Sequence, residues 1–228
     1  MSRAASWGAL LKERPGHPAR RVWTTADLAT ALGLPPSTAA RHIAQAVCEG
    51  WLIAARQGLY LNAVAVPTVT AADLASHLRA GAVVSLQTVL GDCGVYNNPT
   101  AWVTAVLPVD TGGSTAGGVL QTAVGTFQFR RLGARVFHAG APEDRLDERF
   151  SYPRATPEKA LVDWLALAHS PRSTLTAPPA HDLEIELLDL DRLQRLAKAC
   201  GLADELSRLV AAAHRRDDWA DEQGPTML

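Results

Sequence analysis

The stretch Pro35–Leu52, PPSTAARHIAQAVCEGWL, decides how the amino-terminal part of this chain is read. Two prolines force a new chain direction, and Ser37 is placed to cap the helix that follows. Ala40, Ile43 and Val47 recur at i, i+3 and i+7, which makes one apolar stripe at helical period. On this register Thr38, Arg41, His42 and Gln45 fall on the opposite face, and Gly50 ends the helix.

The flanking segments supply the partners such a helix requires. TTADLATALGL (24–34) offers Thr24 or Thr25 as a cap, Leu28, Ala31 and Leu32 as an inward face, and Gly33 as an exit. AASWGALLKE (4–13) carries Trp7, Leu10 and Leu11 at helical spacing and is closed by RPGHP. RRVW (20–23) is a brief apolar stretch, and WLIAARQGLYL (51–61) alternates as two strands about a turn at Arg56, Gln57 and Gly58. Helix, short strand, helix, turn, helix, hairpin is the order of a winged helix-turn-helix. Trp23, Trp51 and Tyr60 occupy strand or strand-flanking positions, so they read as core rather than as base-stacking aromatics.

Charge agrees with that order. Residues 1–62 hold seven Lys/Arg against three acids, a net charge of +4, so the remainder carries −5 of the overall −1. A basic module on a mildly acidic body is an electrostatic footprint of nucleic-acid binding. The chain's 228 residues are comfortable for two domains, and 47% hydrophobic residues suffice for a core. No run approaches the roughly 20 apolar residues of a membrane helix, and MSRAASWGALLKERPGH is too quickly charged for a secretory signal. The expectation is a cytoplasmic protein without a membrane association. Cys48, Cys93 and Cys200 are sparse and far apart, which suits a reduced compartment and buried or semi-buried thiols.

The chemistry of the outward helix face fits duplex DNA. Ser37 and Thr38 are short donors at a helix start, where the dipole favours phosphate. Arg41 has the forked geometry for guanine and Gln45 that for adenine, each worth about 1–3 kcal/mol of discrimination when bidentate. Arg56 and Gln57 at the hairpin tip suit the minor groove or a phosphate, and Arg20 and Arg21, with Arg3, Lys12 and Arg14, suit the backbone. An ordinary solvated helix face is the other reading of the same residues.

Beyond NAVAVP, TAADLASHLRAG (70–81) reads as a capped amphipathic helix and VVSLQTVLGDCGV (83–95) as a second, buried one. TAWVTAVLP, TAVGTFQFRRL and ARVFHA read as strands, with DTGGSTAGG (110–118) as a loop. Thr156-Pro157-Glu158 opens a strong helix, TLTAPPAHD breaks the chain, and residues 189–216 give two amphipathic helices joined at Gly201. The last dozen residues read as a frayed tail.

Catalytic signals are poor. The glycine-rich loop lacks the Gly-Lys-Ser/Thr ending of a phosphate loop, and no GxSxG, HExxH or zinc-type Cys/His pattern occurs. Glu158 meets the dipole of its own helix, and Asp163 reads equally as a solvated helix residue. None of His42, His77, His138, His169, His181 and His214 has ligand spacing. The expectation is a protein that is not an enzyme and needs no cofactor or metal.

Three segments, WTTADLATALGLPPSTAARHIAQAVCEGWLIAARQGLYL, VVSLQTVLGDCGV and YPRATPEKALVDWLAL, in this order resemble the AbiEi antitoxin family of bacterial abortive-infection (type IV) toxin–antitoxin systems. The resemblance spans residues from about 22 to 168, and ATPEKALVDWL is its most specific part. It implies an α+β protein with a winged helix-turn-helix over residues 1–64, a mixed α/β antitoxin domain over 65–216 and a tail over 217–228. It implies an autorepressor that binds promoter inverted repeats in double-stranded DNA, two copies at a time. It also implies action against a cognate nucleotidyltransferase-type toxin, with or without direct contact. Thr38, Arg41, His42 and Gln45 would then read DNA, with Arg56 on the wing. Pro157, Glu158, Lys159, Ala160, Leu161 and Asp163 match the family's hallmark helix, chiefly as fold determinants. A transcriptional regulator whose second domain senses a ligand or holds a dimer, with no toxin, is the alternative.

Overall fold

Thr24 caps the helix that follows the first strand. Its hydroxyl accepts from the Asp27 backbone N–H at 3.1 Å, and the Asp27 carboxylate accepts from the Thr24 N–H at 3.0 Å. This reciprocal box fixes the junction of a strand and a helix. The molecule is described by a computed structural model covering residues 3–12, 19–109, 117–171 and 173–222, with side chains described from 7 to 215 among these. It has mixed α+β architecture and two compact units, one of Met1–Leu74 with Gln121–Thr126, the other of Ala75–Leu120 with Phe127–Leu228.

The first unit runs α1 (Arg3–Leu11), β1 (Val22–Thr24), α2 (Thr25–Leu32), α3 (Pro36–Cys48), β2 (Leu52–Arg56) and β3 (Leu59–Asn62). The strands form one antiparallel sheet in the order β1-β3-β2, with Val22 opposite Leu61 and Leu52 opposite Asn62. Gly33, left-handed at φ 65°, ends α2, and Pro35 starts the next helix without a side-chain cap. Ser37 therefore lies inside the first turn of α3 and is not its N-cap. Trp7, Leu11, Trp23, Leu28, Ala29, Ala39, Ile43, Ala46 and Leu52 make the core, with Trp51 and Tyr60 packed against it. In α2 it is Ala29 that is buried, while Ala31, expected inside, is exposed.

β2 carries a bulge at Ala55 between the pairs Ala54–Tyr60 and Arg56–Leu59. The Ala55 carbonyl accepts from the Ala123 N–H at 3.0 Å, so Gln121–Thr126 completes this unit at the edge of β2.

The second unit contains α4 (Ala75–Leu78), β4 (Val83–Val84), α5 (Gln87–Asp92), β5 (Val103–Pro108), the larger parts of β6 (Gly118–Thr122) and β7 (Gly125–Leu132), α6 (Ala134–Phe137), α7 (Pro142–Arg145), α8 (Pro157–Ala168), α9 (Leu190–Cys200) and α10 (Ala203–Glu222). Its sheet has the order β4-β5-β7-β6, with β5 and β7 parallel from Val103–Phe127 to Pro108–Leu132. Two segments differ from their sequence reading. Val83–Val84 pairs with Val106 and Ala105 as a strand, and helix begins only after Leu86, whose φ of 61° breaks the run. Ala134–Phe137 is a single helical turn, because the Val136 and Phe137 N–H groups both close onto the Gly133 carbonyl. Most of DTGGSTAGG lies outside the described residues, as do residues 223–228; α10 itself continues to Glu222.

α8 is the axis of this unit. Thr156 caps it, accepting from the Lys159 N–H at 3.2 Å, and Pro157 opens it. It packs against α5, α6, α7, α9 and α10, so nine of its twelve residues are buried. Trp164 meets Tyr96 edge-on at 5.1 Å between centroids, and its indole N–H donates to the Thr176 carbonyl at 2.8 Å.

Candidate nucleic-acid interface

The exposed face of α3 follows from which of its alanines the core takes. Ala39, Ile43 and Ala46 are buried, so the inward stripe is i, i+4, i+7 rather than Ala40, Ile43, Val47. Ala40 is exposed and Val47 half-buried. This turns the helix relative to the expected register. Ser37, Ala40, Arg41, Ala44 and Cys48 now point out, while Thr38, His42 and Gln45 are half-buried at the flanks. Cys48, expected to be at least semi-buried, is exposed because it stands seven residues, two turns, beyond Arg41. The Gln45 amide donates to Glu49 Oε1 at 2.6 Å.

Arg41 and Arg56 are both exposed and hold no ion pair among the described residues. Arg56 and Gln57 sit at the turn between β2 and β3, which Gly58 permits with φ 77°. The Gly58 carbonyl accepts from the Thr25 N–H at 3.0 Å, tying that turn to the start of α2.

Arg20 and Arg21 are engaged in the fold. Arg20 pairs with Asp27 at 2.7 Å, donates from Nε to the Val22 carbonyl, and lies over the Trp23 ring at 4.9 Å. Arg21 pairs with the buried Asp73 and donates to the carbonyls of Pro67 and Thr68. Lys12 is exposed; the Arg3 side chain and Arg14 lie outside the described residues. Asp27, which burial alone would push up, is held below the usual carboxylate value by hydrogen bonds from Thr24 and by Arg20.

The residues of the TPEKALVDW segment are brought together inside the second unit. Lys159 pairs with Asp163, and the Ser85 hydroxyl donates to the other Asp163 oxygen at 2.8 Å; all three are buried. Asp163 is thus no solvated helix residue. Removal from water pushes its carboxyl up, against the opposing pull of Lys159 and Ser85. Glu158 accepts from the Asp189 N–H at 3.0 Å and faces Arg192 at 3.5 Å. Among the described residues no group of three or more His, Cys, Asp or Glu is arranged to hold a metal, and no helix is long and apolar enough to cross a membrane.

Two residues escape a reading by sequence. Asn62, fully buried, donates to the carbonyls of Leu11 and Arg20 and accepts from the Val64 N–H. Arg154, also buried, pairs with Asp92 at 2.7 Å beneath the Phe150 ring. The YPRATPEK context carried the only signal for Arg154, and Asn62 had none beyond its place after an apolar strand.

No protein-family model matches the chain, and no curated protein matches it. Among solved structures the chain is similar to the crystal structure of the RV2827C protein from Mycobacterium tuberculosis. The two are 19% identical with a TM-score of 0.50, over 92% of this chain and 82% of that one. At that identity the likeness shows the fold alone.

Proposed function

We propose that the first unit is a winged helix-turn-helix that binds double-stranded DNA, with α3 in the major groove and the β2–β3 turn as the wing. We further propose that the chain is a cytoplasmic AbiEi-type antitoxin. It would repress its own operon at promoter inverted repeats and counteract a nucleotidyltransferase-type toxin through its second unit.

The observation that carries the DNA reading is the exposure, without an ion-pair partner among the described residues, of Arg41 on α3 and Arg56 at the turn. The small outward residues Ser37, Ala40 and Ala44 add to it, because they let the helix approach a groove floor closely. An inverted repeat requires two copies related by a two-fold axis. The antitoxin reading is supported by the order of the three sequence segments. Because α8 is buried, its hallmark residues would serve by shaping the unit and not by touching a toxin.

The test uses the full-length protein. Fluorescence anisotropy against its own promoter should show specific binding that weakens with salt, with a log–log slope of about −0.9 per phosphate neutralised. Arg41→Ala should cost about 1–3 kcal/mol of that binding and relax preference at one position. The same variant, co-expressed with the product of the adjacent gene, should still restore growth. Equal affinity for promoter and scrambled DNA would defeat the operator reading; failure of the wild-type protein to restore growth would defeat the antitoxin reading.

A further inference from the structure

β5 and β7 run parallel, and their carboxyl ends finish together at Pro108 and Leu132. Crevices beyond the carboxyl ends of parallel strands are where open sheets most readily take ligands, since the chain must leave the sheet there in loops. In this unit the crevice is a cavity of about 520 Å³, within the usual range of small-ligand sites. Val109, Phe129 and Leu167 give it an apolar wall; Arg130, Arg131, Ser170, Ser173 and Thr174 give it donors, and among the described residues no carboxylate lines it.

Among the described residues the charged groups of this lining are all positive. Arg149, Arg154, Arg192, Arg195 and Arg208 of the same unit each hold a carboxylate. Arg130 and Arg131 hold none among the described residues, and the half-buried Arg130 leaves its Nε–H without an acceptor. Arg131 reaches the mouth of the cavity, donating to the Val109 carbonyl at 2.9 Å. Arg79 adds a third positive charge behind it, 5.7 Å from the centroid of Phe129. In a part of the chain that is net acidic, arginines gathered, among the described residues, without acids and beside the hydroxyls of Ser170 and Thr174 leave a deficit that an anion would fill.

We propose that this cavity binds a small phosphate-bearing ligand, its phosphate held by Arg131 with the hydroxyls of Ser170 and Thr174 and its organic part against Phe129 and Leu167. This inference is independent of DNA binding and of any toxin.

Isothermal titration of the full-length protein with pyrophosphate and with adenosine monophosphate, at low salt and without DNA, tests it. At least one probe should bind with one-to-one stoichiometry. Arg131→Ala should weaken binding by about tenfold or more, the loss expected for charge-assisted hydrogen bonds. Ser170→Ala, a change too small to disturb the fold, should weaken it several-fold. Arg215→Ala, an exposed arginine on another element, should leave it unchanged. No binding of either probe overturns the proposal, as does an equal loss in Arg131→Ala and Arg215→Ala, which would mark diffuse charge attraction. Binding of a 5′-phosphorylated oligonucleotide alone, with neither small probe, overturns it as well.

Discussion

The Asn62 side-chain amide donates to the main-chain carbonyl of Leu11 at 2.8 Å, joining the end of β3 to the end of α1 across 51 residues of sequence. The same amide nitrogen reaches the Arg20 carbonyl, and the amide oxygen takes the Val64 N–H, so one buried side chain serves three segments.

Replacing Asn62 by Ala strands those groups away from water. Each buried polar group left unpaired costs about 1–3 kcal/mol, so Asn62→Ala should lower stability by at least that amount. Thermal melts followed by circular dichroism check it; an unchanged midpoint would mean that the three segments are held by other contacts.

The Lys159–Asp163 pair should show strong coupling. Lys159→Met leaves a carboxylate buried without its cation and should destabilise by about 3–5 kcal/mol. Lys159→Met/Asp163→Leu removes both charges and should be less damaging than either single change, leaving only the Ser85 hydroxyl to find a new acceptor. Denaturant titrations of the two singles and the double measure the coupling, and additive losses would contradict it.

Asp27 ties stability to pH with a definite sign. Its folded-state value lies below 3.8, so its charge adds stability above that pH, and the addition is lost as pH falls through the lower folded value. Asp27→Asn should therefore be less stable than wild type at neutral pH, by about 0.5–2 kcal/mol for a weakened helix start. The gap should close as the pH drops below about 4, near the reference carboxylate range. Melting curves at a series of pH values decide it: a gap that widens on acidification has the wrong sign.

Cys48 offers a footprint of the proposed DNA face. It is exposed and shares the outward side of α3 with Arg41. In a Cys93→Ser/Cys200→Ser background, alkylation of Cys48 should be slowed by operator DNA, and alkylated protein should bind the operator poorly. Equal labelling rates with and without DNA would move the contact surface away from α3.

How far the sequence could be read depended on whether local chemistry settled the choice. Thr24, Gly33, Thr156-Pro157 and Gly201 mark helix ends by mechanisms confined to a few residues, and each acts where expected. The face of α3 was harder. Ala39 and Ala40 have the same side chain, so only packing around Ile43 decides which one enters the core. Val83–Val84 and Ala134–Phe137 differ from their sequence pattern because runs so short take their state from neighbours: β5 recruits the first, and the Gly133 carbonyl turns the second. The buried charges were illegible for a different reason. Lysine, arginine and aspartate are surface residues by default; Arg154 and Asp163 are buried against Asp92 and Ser85, far away in sequence, and Lys159 goes in with Asp163, one turn on in the same helix. Arg20 and Arg21 illustrate the converse, as cations that looked available and are spent on Asp27 and Asp73.

The hydrogen bond between Ala123 and Ala55 also has a temporal side. A ribosome adding about 5–20 residues each second delivers β2 several seconds before the segment that completes its edge. During that interval the nascent first unit carries an open strand rim, which other chains are able to pair with. The bulge at Ala55 twists that rim and interrupts its row of donors and acceptors. It thereby guards the unfinished unit until Gln121–Thr126 emerges, and swapping Ala123 for proline, which has no N–H to give, would leave the guard as the only protection.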